Sequence, residues 1–177
     1  MKQQKLFAIS GVKNSGKTTL ICELLKIFQQ KGIKTAVIKH DGHDFQADVQ
    51  GTDTYLQLQA GAFGTVVFSD KKYMLVKQQE HTSEMELADF FPEADLILLE
   101  GFKYSSYPKI EIVRRGNSAE SVCAADTLAA IATNLPLKER ETLRISQSGK
   151  TVQEMQIPLL DLDDAEKIAE FILACVR

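Results

Sequence analysis

The sequence is poor in features that would each have pointed to a particular class of protein. It has only three cysteines in 177 residues, Cys22, Cys123 and Cys175, and no C-x-x-C pair. There is thus no disulfide framework to read, and since Cys22 and Cys175 fall within helical patterns, the thiols are expected to be reduced and mostly packed. Dense Lys/Arg blocks are missing too. The 21 basic residues are outnumbered by 24 acidic ones for a net charge of -3, which argues against a nucleic-acid-binding footprint. No apolar run approaches the ~20 residues needed to cross a bilayer. The short polar start Met1-Lys2-Gln3-Gln4-Lys5 leads directly into a strand pattern, so the expectation is a cytoplasmic protein that is neither exported nor membrane-bound. Internal repeats, low-complexity segments and linkers are absent, and the length suits a single domain over 1–177 that buries roughly 70% of its extended-chain surface.

What is present begins at Gly11-Val12-Lys13-Asn14-Ser15-Gly16-Lys17-Thr18, which follows the apolar run Leu6-Phe7-Ala8-Ile9. It reads G-x-x-x-x-G-K-[ST], the phosphate-binding loop (Walker A), with a buried-type strand before it and a helical pattern after it. Gly11 and Gly16 permit backbone angles that turn successive N–H groups inward around a phosphate. Lys13, Asn14, Ser15 and Thr19 complete the expected cradle. The helix starting near Lys17 points unpaired N–H groups and its positive dipole end at the same anion. Lys17 would reach the outer phosphates, and the Thr18 hydroxyl would ligate magnesium.

Downstream, Thr18 to Gln30 carries Leu20, Ile21, Leu24, Leu25 and Phe28 on one helical face and ends at Gly32; a β-branched run from Ile33 to Lys39 follows. This is a βαβ unit with parallel strands. Periodicity then breaks over residues 40–53, which hold four Asp and two His. Ligands in α/β sheets bind beyond the carboxyl ends of strands, so this acidic loop is expected near the nucleotide. A short helix from Asp53 to Ala60 precedes two strands, Gly64 to Ser69 and Tyr73 to Val76, whose short turn suits a β-hairpin. Ser83-x-x-Glu86 is a capping box opening a helix that Pro92 ends.

Asp95-Leu96-Ile97-Leu98-Leu99-Glu100-Gly101 describes a strand buried on both faces that delivers a carboxylate to the ligand crevice. Glu100 would hold the magnesium ion or its water shell, and Gly101 would let backbone approach the terminal phosphate. Lys109 to Arg114 alternates charged and aliphatic residues, the pattern of a strand with one wet face. Lys103, Lys109, Arg114 and Arg115 could then form a basic rim, or simply a solvated face. Ala129 to Thr133 and Ile157 to Leu162 read as further strands, Lys138 to Arg144 as a solvated charged run, and Asp163-x-x-Glu166 as the cap of a final helix. The fold expected is α/β, a P-loop NTPase three-layer sandwich with a mostly parallel sheet, helices on both faces and a small β-hairpin insertion.

Three stretches together carry a family resemblance: Ile38-Lys39-His40-x-x-His43-Asp44, Asp48-x-x-Gly51-x-Asp53-Thr54-Tyr55 with Ala60-Gly61-Ala62, and Leu99-Glu100-Gly101-Phe102-Lys103 with Pro108-Lys109-Ile110. The chain resembles the molybdopterin-guanine dinucleotide biosynthesis protein B (MobB) family from Leu6 to its last helix. The resemblance implies a GTP- and Mg2+-binding P-loop protein, a homodimer and weak GTPase. Such a protein assists a partner guanylyltransferase (MobA-like) in attaching GMP to molybdopterin. It also implies that the 64–76 hairpin serves in dimer contact and that Asp48, Gly51 and Asp53 belong to a nucleotide-responsive loop. Two positions depart from the family pattern: Thr52 stands where Lys is frequent, and Asn134 where Asp is. No intact [NT]-K-x-D guanine-reading motif occurs, so guanine preference follows from the resemblance alone.

His40 and His43 are open to several roles: contact with molybdopterin or nucleotide, a metal site, or a hydrogen-bonded scaffold. Hydrolysis would need a residue that orients water, either Glu100 or an acid of the 41–53 loop such as Asp48 or Asp53. It would also need a cation for the transition-state charge, for which Lys13 and Lys17 are the evident candidates. Two other function classes fit less of the chain. A small-molecule P-loop kinase would need an Arg-bearing lid, with only Lys138 to Arg144 on offer; a metal-insertion GTPase would use His40 and His43.

Overall fold

The structure, a computed structural model, describes residues 4–42 and 45–176. These gather into two compact units, one from the residues up to His40 together with those from Leu87 onward, the other from Asp41 to Glu86.

In the first unit, β1 (Lys5–Gly11) runs through the phosphate loop into α1 (Lys17–Gln30), and β2 (Thr35–Lys39) follows. Gly32, at φ +72°, makes the reversal out of α1. Within the second unit, α2 (Asp53–Gln59) is followed by β3 (Gly64–Ser69) and β4 (Lys72–Lys77), paired antiparallel as the expected hairpin. Helix α3 (Glu84–Ala88) begins in the second unit and ends in the first. Its capping box forms as expected, with Glu86 N donating to Ser83 Oγ at 3.2 Å and Ser83 N donating to Glu86 Oε2 at 2.9 Å. The helix stops at Ala88, short of Pro92, and turns carry the chain through Phe90 and Phe91.

The first unit continues with β5 (Leu96–Glu100), β6 (Lys109–Val113), β7 (Glu120–Ser121), β8 (Leu128–Thr133), α4 (Leu137–Glu141), β9 (Arg144–Ile145), β10 (Leu159–Asp161) and α5 (Ala165–Cys175). Six strands form one sheet in the order β10-β8-β6-β1-β5-β2, every neighbouring pair parallel. β5 lies between β1 and β2, so the expected βαβ unit is parallel but its two strands do not touch. The pairs β7 and β9, for which the sequence carried no signal, form a separate two-stranded ladder. The final helix is capped one residue later than expected, by Asp164, whose carboxylate accepts Lys167 N at 3.1 Å.

Alternation along the strands sorts the core. Phe7, Ile9, Leu98, Ile110 and Ile112 pack with Leu20, Leu24 and Phe28 of α1 and with Ile168 and Ile172 of α5. On the opposite face Ala8, Ile97 and Leu99 meet Ala88 and Ala94, while Val113 and Ile131 meet Cys123, Leu135, Leu143, Ile145 and Val152. Burial of a large apolar side chain contributes about 1.5–3 kcal/mol. Three such residues on α1 outweigh the ~1 kcal/mol that a missing side-chain N-cap costs, so α1 can begin at a glycine.

The reading of β6 as a half-wet strand is corrected: all five of its residues are buried, Lys109 at 0% and Glu111 at 1% exposure. Residues 121–127, with Ser105, cover the charged face and satisfy it internally. The Glu111 carboxylate accepts the Ser121 hydroxyl, Val122 N at 2.8 Å and Cys123 N at 3.1 Å. The Lys109 ammonium donates to Ser105 O and, at 3.0 Å, to Thr127 Oγ1. Lys109 therefore cannot belong to a basic rim. Burial lowers the Lys109 pKa, with Cys123, Asp126 and Glu111 acting against that shift. Burial, followed by the nearby Glu111 carboxylate, pushes the Cys123 thiol up to about 12. Cys123 is the packed thiol, whereas Cys22 and Cys175 are exposed, contrary to the expectation for helical cysteines.

Glu111→Ala leaves three donors without their acceptor, beside a buried lysine. It should lower unfolding free energy by about 3 kcal/mol in a urea titration, whereas truncating the exposed Glu120 should change it by less than about 0.5 kcal/mol.

Candidate functional site

The site grows from the central position of β1. Its neighbours β5 and β6 place Ile9 opposite Glu100 and Gly11 opposite Ile112, so the chain leaves the sheet at Gly11 between two other strand ends. Gly11 has φ +141°, and a Cβ there would lie 2.8 Å from both Ile112 O and Ser15 Oγ. Only glycine fits that space. Asn14 (φ 62°) and Gly16 (φ 100°) continue the curl, and α1 starts at Lys17 with no side chain capping its first turn. Ser15 is fully buried and its hydroxyl has no hydrogen-bond partner among the described residues. Lys13, Asn14, Thr18 and Thr19 are exposed around this curl.

Lys17 is folded back over the loop, its ammonium donating to Val12 O at 2.7 Å and Gly11 O at 3.1 Å. Its pKa is lowered, chiefly by burial; the Glu100 carboxylate works against that, and the nearby cations Lys39 and Lys103 add to it. Thr18 Oγ1 donates to Glu100 Oε1 at 2.7 Å, joining the first turn of α1 to the tip of β5. Glu100 is only 7% exposed and stands in register with Lys39 of β2. The two residues expected to hold a metal therefore meet directly. A threonine hydroxyl and a carboxylate are the hard oxygen donors that magnesium takes.

Beyond β5 the chain turns sharply. Gly101 (φ 103°) donates its N–H to Ile9 O at 3.0 Å and accepts from the Ser10 hydroxyl, while a Cβ on it would come 3.4 Å from His40 O. His40 N donates to Glu100 O at 3.1 Å, and its ring lies 5.5 Å from that of Phe102. His40, Glu100 and Gly101 are thus gathered at one sheet end with the phosphate loop. His43 lies outside the described residues. Asp48 and Asp53 belong to the second unit. There Asp48 accepts Val49 N at 2.7 Å and Thr54 Oγ1 at 2.5 Å, and the Thr54 bond above all holds its pKa below the usual carboxylate range. Thr52, the residue that departs from the family pattern, caps α2 through Tyr55 N, and Asp53 is the first residue of that helix.

One part of the site had no clear sequence signal. After β6, Asn117 Nδ2 donates to Lys13 O at 3.1 Å, and Arg115 N donates to Asn134 Oδ1 at 2.9 Å. The segment following β6 is thereby fastened to the phosphate loop. Finding it required knowing that β6 neighbours β1, which no local pattern states. No group of three or more His, Cys, Asp or Glu that could hold a metal ion is found among the described residues.

Residues 6–134 match the family model described as MobB, molybdopterin guanine dinucleotide synthesis protein B. The chain is 30% identical over 175 residues to the molybdopterin-guanine dinucleotide biosynthesis adapter protein of Escherichia coli K12, covering 95% of this chain and 91% of that one. It is also 30% identical over 173 residues to the adapter protein of the same name from Haemophilus influenzae, covering 96% and 88%. Among solved structures, Bacillus subtilis MobB superposes with a TM-score of 0.72 at 24% identity over 98% of both chains, a likeness that bears on the fold alone. The family model, matched over more than two thirds of the sequence, and the two relatives at 30% identity make the chain a member of the molybdopterin-guanine dinucleotide synthesis protein B family.

Proposed function

We propose that this chain is an adapter of molybdopterin-guanine dinucleotide biosynthesis that binds GTP and Mg2+ in the phosphate loop. In this reading it assists a MobA-like guanylyltransferase in attaching GMP to molybdopterin. The observation that carries the reading is the Thr18–Glu100 hydrogen bond at the mouth of a phosphate loop, in a chain of this family. Absence of helices long and apolar enough to cross a membrane among the described residues accords with work in the cytoplasm.

The residues present fit a magnesium nucleotide. The cradle at Gly11 is one that any Cβ would fill, and Ser15 holds a buried hydroxyl without a partner. The uncapped first turn of α1 offers its N–H groups to an anion. Lys17 exchanges two carbonyl partners for phosphate oxygens on binding, and Thr18 with Glu100 would hold the metal. A bound magnesium ion supplies neutralisation of phosphate charge. Glu100 orients water for slow hydrolysis. Asp48 and Asp53 are assigned to a nucleotide-responsive loop on the resemblance, and His40 with His43 to contact with molybdopterin or nucleotide. Homodimerisation through the hairpin is supported by its exposed apolar residues, among them Val66, Val67, Phe68 and Tyr73.

The testing experiment is reconstitution of cofactor guanylylation by the partner enzyme, with and without this protein, in the presence of GTP or ATP. Stimulation with GTP is expected, and an unchanged yield would refute the adapter role. Lys17→Ala should fold normally yet weaken GTP-Mg2+ binding at least tenfold, about 1.4 kcal/mol, by calorimetry. Glu100→Gln keeps the shape of the carboxyl but not its charge, so phosphate-release assays should show turnover falling further than GTP affinity.

A further inference from the structure

Phosphoryl transfer needs cations around the phosphates, and Lys17 is initially engaged with Gly11 O and Val12 O. Another cation stands closer to readiness. The Arg114 guanidinium places Nη1 3.6 Å from the position a Cβ on Gly16 would take, beside the last turn of the phosphate loop. Arg114 directly follows β6, the strand paired with β1. Its carbonyl accepts Asn117 N at 3.0 Å and Ser118 N at 3.1 Å, closing a tight turn. That turn is fastened at two further points, Asn117 Nδ2 to Lys13 O and Arg115 N to Asn134 Oδ1. The side chain is exposed, and no carboxylate among the described residues forms an ion pair with it.

A guanidinium beside the uncapped start of a helix, with no acidic partner among the described residues, raises an already positive potential. Lys39 and Lys103 lie near enough to act on Lys17, and the Glu100 carboxylate beside Lys17 accepts the Thr18 hydroxyl. Such an arrangement is relieved by an anion of several charges, and a planar five-donor fork suits phosphate oxygens in pairs. We infer that Arg114 is a phosphate-binding residue of this site, a cation supplied by the chain itself that engages the nucleotide's phosphate chain from the β6 side. The inference rests on the nucleotide-binding reading above, and extends it to a side chain outside the loop motif.

The test is titration of the full chain with fluorescent N-methylanthraniloyl derivatives of GTP, GDP and GMP at low and moderate salt. Arg114→Ala should weaken GTP binding at least tenfold and GMP binding much less, and should flatten the salt dependence. Arg114→Lys should recover part of the loss, Arg115→Ala should behave as wild type, and melting curves of all three should overlay the wild-type curve. Equal GTP affinity in wild type and Arg114→Ala, or an equal loss in Arg115→Ala, would overturn the inference alone. Failure of the unaltered protein to bind any of the three would overturn the nucleotide reading and this inference with it.

Discussion

Ile9 is paired with Glu100 on one side and with Ile110 on the other, and this register of β1 between β5 and β6 sets the position of every element of the site. Parallel strands end at the same edge of the sheet, so the tips of β1, β5, β6 and β2 converge. Gly11 is where the chain can leave that edge without colliding with Ile112 O. Glu100, two residues behind that exit in register, is then close enough to accept the Thr18 hydroxyl from the first turn of α1. A slip of one residue in β5 would turn Glu100 to the other face and place Leu99 or Gly101, neither with a carboxylate, at the mouth of the loop.

The same sheet buries two side chains of charged type on one strand. Lys109 and Glu111 lie on one face of β6, in an interior where unpaired charge is expensive. Their partners come from residues 105 and 121–127, segments that otherwise have little regular structure. The charged pair thus specifies how that irregular stretch lies on the sheet. It does so on the strand whose end leads into Arg114. Packing of β6 and placement of the cation beside Gly16 are consequences of one arrangement.

Much of the fold was legible because its signals are local. The strand-loop-helix opening, the aliphatic run ending in Glu100, the hairpin and the capping box at Ser83 each depend on residues a few positions apart. β6 was misread as half wet because alternation reports side-chain chemistry but not what covers it; a strand whose charges are satisfied internally has the same pattern as one facing water. The two-residue strands β7 and β9 are too short to have a period. Cys22 and Cys175 were expected to pack, but a helix has an outer face as well as an inner one.

By itself, the sequence determined the chemistry of the phosphate loop, since Gly11, Gly16, Lys17 and Thr18 are required by the backbone angles and charges of that turn wherever it occurs. It also determined that Glu100 ends a buried strand, and it carried the family resemblance that the comparisons bore out. Only the tertiary structure decided that Glu100 and Thr18 touch, that Lys17 waits on its own loop's carbonyls, and that Arg114 and Asn117 flank the same turn. The Thr18–Glu100 and Asn117–Lys13 contacts join residues 82 and 104 positions apart through strand order. Strand order is fixed by the packing of whole faces, which no short window of sequence contains.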